Sequence, residues 1–512
     1  MNMKNQFIQE LQEKYTFKGG EIILGKAKLN DEVLPEGKIS VPLKTLNRHG
    51  LIAGATGTGK TKSLQLLAEG LSKNGVPSLL MDIKGDLSGI AQPGDAQSKH
   101  IISRHEALEI PYQALGLPVE LLSLSKEKGV KLKATVSEFG PILFSKILGL
   151  NETQEGVMAV IFKYCDDKQL ALVDLKDIRK VLQYIAEGEG KKEIVKDYGS
   201  ISSQSLGAIL RKIVALEQQD GDTFFGEPSF EIDDLLSVEN GYGKVNVLRL
   251  TDIQNKPALF STFMLSLLAE VYNELPESGD SDKPRLAIFI DEAHLMFEEA
   301  SKELLSQVKT VIKLIRSKGV GIFFCTQLPG DIPDDVLSQL GLKIQHALRG
   351  FTAKDRKEIQ KAVENYPISQ YYEADKLITQ LGIGEAFITA LNEKGIPTPL
   401  AHTYLTAPAS RMDILSKSEI DELVQNSNLV KKYNKEIDKE SAFEILSKKL
   451  EKAALLQAKN EETKKAVQKS SSRKKELSTF EKVLKSPVLR SMGVTIAGIV
   501  TRHLLGSIKK KR

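Results

Sequence analysis

The feature that most restricts this chain is an eight-residue run, Gly54-Ala-Thr-Gly-Thr-Gly59-Lys60-Thr61, set between a short apolar segment and an amphipathic one. It fits the pattern G-x-x-x-x-G-K-[ST]. Gly50–Ala53 before it reads as a buried strand, and Lys60–Asn74 after it puts Leu64, Leu67, Ala68 and Leu71 on one helical face. Strand, glycine-rich loop and helix in that order is the context the motif requires. The glycines permit backbone angles that turn successive N–H groups inward around a phosphate, and the new helix adds the positive end of its dipole. Gly54, Ala55, Thr56, Gly57, Thr58 and Gly59 are therefore the expected cradle for ATP. Lys60 is placed to reach its β and γ phosphates, and Thr61 to hold Mg2+. The plainer alternative is a turn that only joins strand to helix.

The pattern around the loop predicts an α/β fold. Ser78–Ile83, Val245–Leu250, Leu286–Ile290, Val320–Thr326 and Ile344–Leu348 are short apolar runs separated by helical stretches. Such alternation implies a mainly parallel sheet with helices on both faces. Residues 1–46 form a short segment with β-like runs at Glu21–Leu24 and Ile39–Val41 around a turn at Pro35–Gly37. The core then divides into 47–99 and 241–405, and 100–240 reads as a helical insertion containing Asn151–Asp166, Leu175–Ala186 and Gln204–Gln218. Thr352-Ala-Lys-Asp355 looks like a capping box that opens a helix. A hairpin over Gly384–Tyr404 is expected to end the body. A charged helical and flexible linker should follow at 406–475, then a basic amphipathic segment at 476–512.

Hydrolysis needs a second motif. Leu286–Ile290 is an apolar strand ending in Asp291-Glu292. Asp291 is the expected Mg2+ ligand and Glu292 the base that polarises the attacking water. The tetrad Asp291-Glu-Ala-His294 superficially suggests a DEAH-box helicase, but one phosphate loop and no Ser-Ala-Thr motif argue against it. The next strand ends in Thr326-Gln327, where Gln327 can hydrogen-bond water and γ-phosphate, or merely cap the turn before Pro329. An arginine on the transferred phosphoryl group is worth ~10³–10⁵ in rate. Arg316 and Arg349 stand near strand ends, and a single-core enzyme often borrows that arginine from a neighbouring copy, so a ring is expected. A cation in a last helical turn is also the ordinary reading of Arg316. Asp82-Ile-Lys-Gly-Asp86 either contacts the nucleotide site through Asp82 or is an Asp-rich turn closed by Gly85.

Charge is uneven. Residues 411–512 carry 24 basic and 13 acidic side chains, which against a whole-chain net of +4 leaves 1–410 at −7. Two cysteines, Cys165 and Cys325, cannot build a disulfide framework, and Cys325 reads as a small buried residue with no cationic partner evident. The seven histidines show no metal-ligand spacing. The start shows no secretory signal, and the most apolar long window, Val488–Ile508, contains Arg490, Arg502 and His503. A cytoplasmic protein is expected.

Taken together these motifs resemble the HerA/FtsK branch of P-loop ATPases, and within it the HerA-like family typified by YjgR. The stretches that carry the resemblance are Asn47–Thr61, Asp82–Asp86, Phe224–Pro228, Asp291–His294, Leu314–Val320, Thr326-Gln327, Asp331–Pro333 and Gln345–Arg349. It implies a RecA-like core, usually hexameric, in which ATP hydrolysis drives duplex DNA through a channel. By position it assigns Lys60 and Thr61 to the phosphate loop, Asp291 and Glu292 to the acidic pair, Gln327 to the sensor, and Arg316 or Arg349 to the arginine acting in trans. About 45 residues before the phosphate loop are too few for the N-terminal barrel that docks a nuclease in HerA proper, so no nuclease partner is assigned.

Three functions follow as expectations. The first is an ATP-driven ring motor on DNA. The second is an oligomeric ATPase that moves or remodels a protein, perhaps near a membrane, since Val488, Leu489, Met492, Ile496, Ile499, Val500 and Leu504 can form one apolar face beside basic residues. The third is a scaffold that binds ATP without splitting it.

Overall fold

Short strands flanked by apolar residues on both sides of the pleat can be stable only when both faces are covered, and the chain supplies helices for each face. The computed structural model describes residues 3–469 apart from 254–255, 280, 299–301, 351, 436 and 438–439. Two units divide at Ser447/Lys448, and the last described element is the helix Ala442–Lys469. The basic amphipathic segment 476–512 lies outside the described residues.

In chain order the described strands are β1 (Glu21–Leu29), β2 (Glu32–Pro42), β3 (Gly50–Ala53), β4 (Ser78–Asp82), β5 (Val119–Ser123), β6 (Val130–Lys131), β7 (Val238–Glu239), β8 (Tyr242–Gly243), β9 (Val245–Arg249), β10 (Leu286–Ile290), β11 (Val320–Thr326), β12 (Leu342–Gln345), β13 (Glu385–Thr389) and β14 (Ala401–Leu405). Twelve of them make one sheet in the order β2-β1-β14-β13-β12-β3-β11-β10-β4-β9-β5-β6. From β12 to β6 every pairing is parallel. From β12 back to β2 every pairing is antiparallel.

Alternation along the central strands sorts side chains between two cores. Leu51, Leu79, Met81, Ile288, Ile290, Ile322 and Phe324 face one core. Ile52, Leu80, Phe289, Phe323 and Cys325 face the other. Phe289 and Phe323 stack there with centroids 4.7 Å apart. The helix Lys60–Lys73 covers the second face with Leu64, Leu67, Ala68 and Leu71. On the first face the helix Lys302–Ile315 packs on β11 and on the helix Pro257–Glu274, and Glu152–Asp167, Leu175–Ala186 and Ser203–Glu217 continue the same apolar core through Ile161, Ile178 and Ile209.

Three details differ from the sequence expectation. The turn between β1 and β2 falls at Asn30-Asp31, both at positive φ, and Pro35–Gly37 lies inside β2. Two residues at positive φ match the twist of a tight hairpin, which a Pro-Gly pattern does not require. Within 100–240, β5 and β6 belong to the main sheet and extend its edge beyond β9. The run Val119-Glu-Leu-Leu-Ser123 hides its strand character behind Glu120, whose carboxylate is buried 3.7 Å from the Lys244 ammonium.

The third difference concerns 406–447, which is folded into the body rather than forming a linker. Leu415, Tyr433, Ala442 and Leu446 are buried, and the Tyr433 ring lies 4.9 Å from that of Phe230. The charged composition of this stretch hides its few apolar anchors. The capping box at Thr352 is present, with Asp355 N–H on Thr352 Oγ1 and Thr352 N–H on the Asp355 carboxylate.

Candidate functional site

The site lies where the parallel strands end. β11 sits between β3 and β10, so the phosphate loop leaves one strand and Asp291-Glu292 leave the strand two places away. Gln327 follows the strand between them, is exposed, and shares that edge.

The loop takes the backbone form its glycines allow. Gly54, Gly57 and Gly59 have φ of 153°, 78° and 111°, and a Cβ on Gly54 would come within 2.5 Å of the His346 Cβ. Gly59 precedes the helix Lys60–Lys73. Outer contacts hold the loop: Ala55 N–H donates to Ala347 O at 2.8 Å, and Gly384 N–H to Thr58 O at 3.2 Å. Among the described residues the amides of Thr56, Gly57, Gly59, Lys60 and Thr61 have no backbone acceptor, as befits the first turn of a helix. Lys60 is buried, with Nζ donating to Gly54 O at 2.6 Å and Ala55 O at 3.2 Å. Burial pulls its pKa down, while the carboxylates of Glu292 and Asp291 push the other way. Thr61 is half-buried at the second helical position.

Beneath the loop sits a residue to which the sequence assigned no role. His346 follows β12, is fully buried, and its Nε2 lies 2.8 Å from Ser63 Oγ. Its Cβ backs Gly54 and its ring backs Gly59, and burial lowers its pKa to about 4, so it is neutral near pH 7. It is a prop for the phosphate loop.

Asp291 is 1% exposed, and its Oδ2 has no hydrogen-bond partner among the described residues. Burial raises its pKa, and Lys84 partly offsets that. Glu292 is buried at φ 46°, an uncommon backbone state for a residue with a side chain. Its Oε1 is ion-paired with Lys84. His294 Nδ1 stands 3.2 Å from Oε2, outside hydrogen-bond geometry, so that oxygen is also without a hydrogen bond. Cys325 is buried, as expected, but it does not lack cations: Lys60 and Lys84 act on it, while burial drives the thiol well above its usual range.

Asp82 does not present a free carboxylate to a nucleotide. Oδ1 accepts Gly85 N–H at 2.7 Å and Asp86 N–H at 3.1 Å, and Oδ2 accepts Leu87 N–H at 3.1 Å. Burial raises its pKa to about 7 despite these bonds. Its work is to fold the loop, with Gly85 at φ 79°, so that Lys84 reaches the acidic pair.

The two arginines occupy opposite edges. Arg349 lies two residues beyond Ala347, on the phosphate-loop edge, with Nη1 donating to Thr379 O. Arg316 precedes β11, whose seven residues at ~3.3 Å each put it roughly 20 Å from the loop of its own chain. There it lines a cleft of about 710 Å³ with Lys44, Arg48, Lys313 and Lys394.

An inward-turned loop, an orphaned buried carboxylate oxygen and a hydroxyl at the helix start suit a magnesium-bound nucleoside triphosphate. Among the described residues no three His, Cys, Asp or Glu side chains converge as a metal site, and a phosphate-bound Mg2+ does not need them. No described helix is long and apolar enough to cross a membrane.

The chain is similar to known proteins. It is 24% identical over 364 residues to the DNA import protein CedB of Sulfolobus acidocaldarius, covering 70% of this chain and 52% of that one. It is 23% identical over 390 residues to the DNA double-strand break repair helicase HerA of the same organism, covering 75% and 69%. The chain thus spans about half the length of the first relative. Its fold matches that of the bacterial conjugative coupling protein TrwBdeltaN70, with a TM-score of 0.51 at 13% identity, over 80% of this chain and 94% of that one. The plasmid coupling protein TrwB in complex with ADP and Mg2+ matches with a TM-score of 0.50, also at 13% identity, over the same shares. The architecture is therefore the RecA-like α/β fold, shared with these coupling proteins. The model of the family described as helicase HerA-like C-terminal matches residues 27–512, and the chain belongs to that family.

Proposed function

We propose that this protein is a Mg2+-dependent ATPase that works as a ring and moves DNA. The observation that carries the first part is the common edge at which β3, β11 and β10 deliver a phosphate loop, Gln327 and Asp291-Glu292. Within the loop 54–59 and the helix start, the amides of Thr56, Gly57, Gly59, Lys60 and Thr61 would hold the triphosphate, Lys60 would leave the Gly54 and Ala55 carbonyls for the phosphates, and Thr61 and Asp291 would hold Mg2+. Bound there, Mg2+ would supply positive charge that offsets the negative charge of the phosphates. Glu292 accepts a proton from the attacking water and Gln327 orients that water.

Arg316 cannot serve its own site from across the sheet, and its place at the opposite edge, in a cleft lined by both cations and the carboxylates of Glu277 and Glu393, suits a contact with the next copy. This supports a ring in which it is the arginine acting in trans. Arg349, on the near edge, flanks the site of its own chain.

The motor reading draws on the family and on relatives named for DNA import and for DNA repair. Residues 470–512 hold 11 basic and 2 acidic side chains, so most of the basic surplus lies at the C-terminal end. Such charge favours a polyanion, with binding that falls steeply with salt. The test is the ATPase rate of the full chain with and without duplex DNA at low salt. Stimulation that disappears as salt rises supports a DNA motor. Turnover that no nucleic acid changes points instead to a protein cargo, and no turnover under any condition supports a scaffold.

A further inference from the structure

The loop Ile83–Leu87 carries a cation that the proposed mechanism leaves unused. Lys84 is ion-paired with Glu292 Oε1 and acts electrostatically on Asp291 as well, so one ammonium serves both members of the acidic pair. The contact is built. Asp82 spends its carboxylate on the amides of Gly85, Asp86 and Leu87, which fixes the turn that delivers Lys84. On the other side, Glu292 is set at φ 46° and Ala293 N–H donates to Cys325 O at 2.9 Å, which fixes the start of the acidic turn. Two independently anchored loops thus meet at one ion pair.

We propose that Lys84 is a latch on Glu292 that competes with the divalent cation for the acidic pair. Two positive groups cannot share two carboxylates at contact distance without strong repulsion. A metal arriving with nucleotide at Asp291 therefore weakens the hold of Lys84, and only then is the Glu292 carboxylate released at Oε1 from its paired cation. Lys84 is a positioning residue: it acts through Glu292 and couples the base to the presence of metal. This inference rests on the assignment of Asp291 to the metal and Glu292 to the base.

The test uses Mn2+ alone as probe, titrated into the nucleotide-free full chain and read by the electron paramagnetic resonance signal of the free ion. Wild type is compared with Lys84→Met, Lys84→Gln and Lys84→Arg, with thermal melting to confirm folding. Either neutral variant should bind Mn2+ on the order of tenfold more tightly than wild type, and Lys84→Arg should restore weak binding. Adding Asp291→Asn to Lys84→Met should abolish the gain. Neutral variants that bind Mn2+ no tighter than wild type, or more weakly, overturn the latch. Since no nucleotide is split in this assay, failure of the latch is distinguishable from failure of the ATPase reading, which rests on turnover.

Discussion

Glu69 gives the sharpest test of how the C-terminal stretch is tied to the nucleotide-binding helix. It lies on Lys60–Lys73 and is 1% exposed. Its Oε2 accepts Ala409 N–H and its Oε1 accepts Ser410 N–H, each at 2.8 Å, and the Ser410 hydroxyl also donates to Oε1. Burial raises the pKa of this carboxyl, and the same hydrogen bonds oppose the rise. Glu69→Leu keeps most of the volume and removes both acceptors. Each buried amide left without a partner costs ~1–3 kcal/mol. Relief of a desolvated carboxylate returns part of that, so a net loss of about 3 kcal/mol is expected.

A global melt would register this poorly. For a unit the size of Met1–Ser447, ~2.1 cal/mol/K of unfolding entropy per residue makes 3 kcal/mol worth a Tm shift of only about 3 °C. The informative assay is hydrogen exchange. If the segment opens locally, the amides of Ala409 and Ser410 should exchange about 10²-fold faster in Glu69→Leu, while β10 and β11 keep their protection. Exchange at Ala409 and Ser410 indistinguishable from wild type would refute the clamp.

Other outcomes are equally specific. His346 has a depressed pKa, so its contribution is fully present above its unfolded value of 6.5 and is lost as pH falls toward about 4. Up to about 3 kcal/mol of acid-side destabilisation should vanish from the stability–pH curve of His346→Asn; an unchanged slope between those pH values would show that the prop is not the titrating group. Arg316→Ala should lose ~10³-fold or more in turnover with ATP affinity retained. Mixing it with Lys60→Ala, which supplies an intact Arg316 but no working site, should restore part of the activity, and no recovery in the mixture argues against a trans role.

Much of the sheet was legible because its central strands obey a simple rule. Leu286–Ile290 and Val320–Cys325 hold no charged or hydroxyl side chain and are followed at once by polar residues, which locates both the strands and the edge that carries chemistry. The phosphate loop was legible for a similar reason, since glycine at three of its positions answers a backbone requirement that few other settings impose. What stayed hidden depends on contacts between distant segments. Nothing in Gln345-His346-Ala347 announces that the ring lies beneath Gly59, nearly 300 positions earlier in the chain. Lys84 stands between two aspartates in sequence, and its partner is Glu292, brought near only when β4 pairs with β10. The extension 406–447 was misread because Leu415, Tyr433 and Leu446 are isolated apolar residues within a charged background.

Everything proposed for the site requires that ATP binding depend on Lys60 and that its cleavage depend on Glu292. Equilibrium ATP binding and single-turnover hydrolysis, measured side by side on wild type, Lys60→Ala and Glu292→Gln, address this most directly. The expected result is no measurable binding by Lys60→Ala, and binding like wild type but cleavage slowed by ~10²-fold or more in Glu292→Gln. Cleavage by Glu292→Gln at the wild-type rate, or unimpaired binding by Lys60→Ala, would contradict the account.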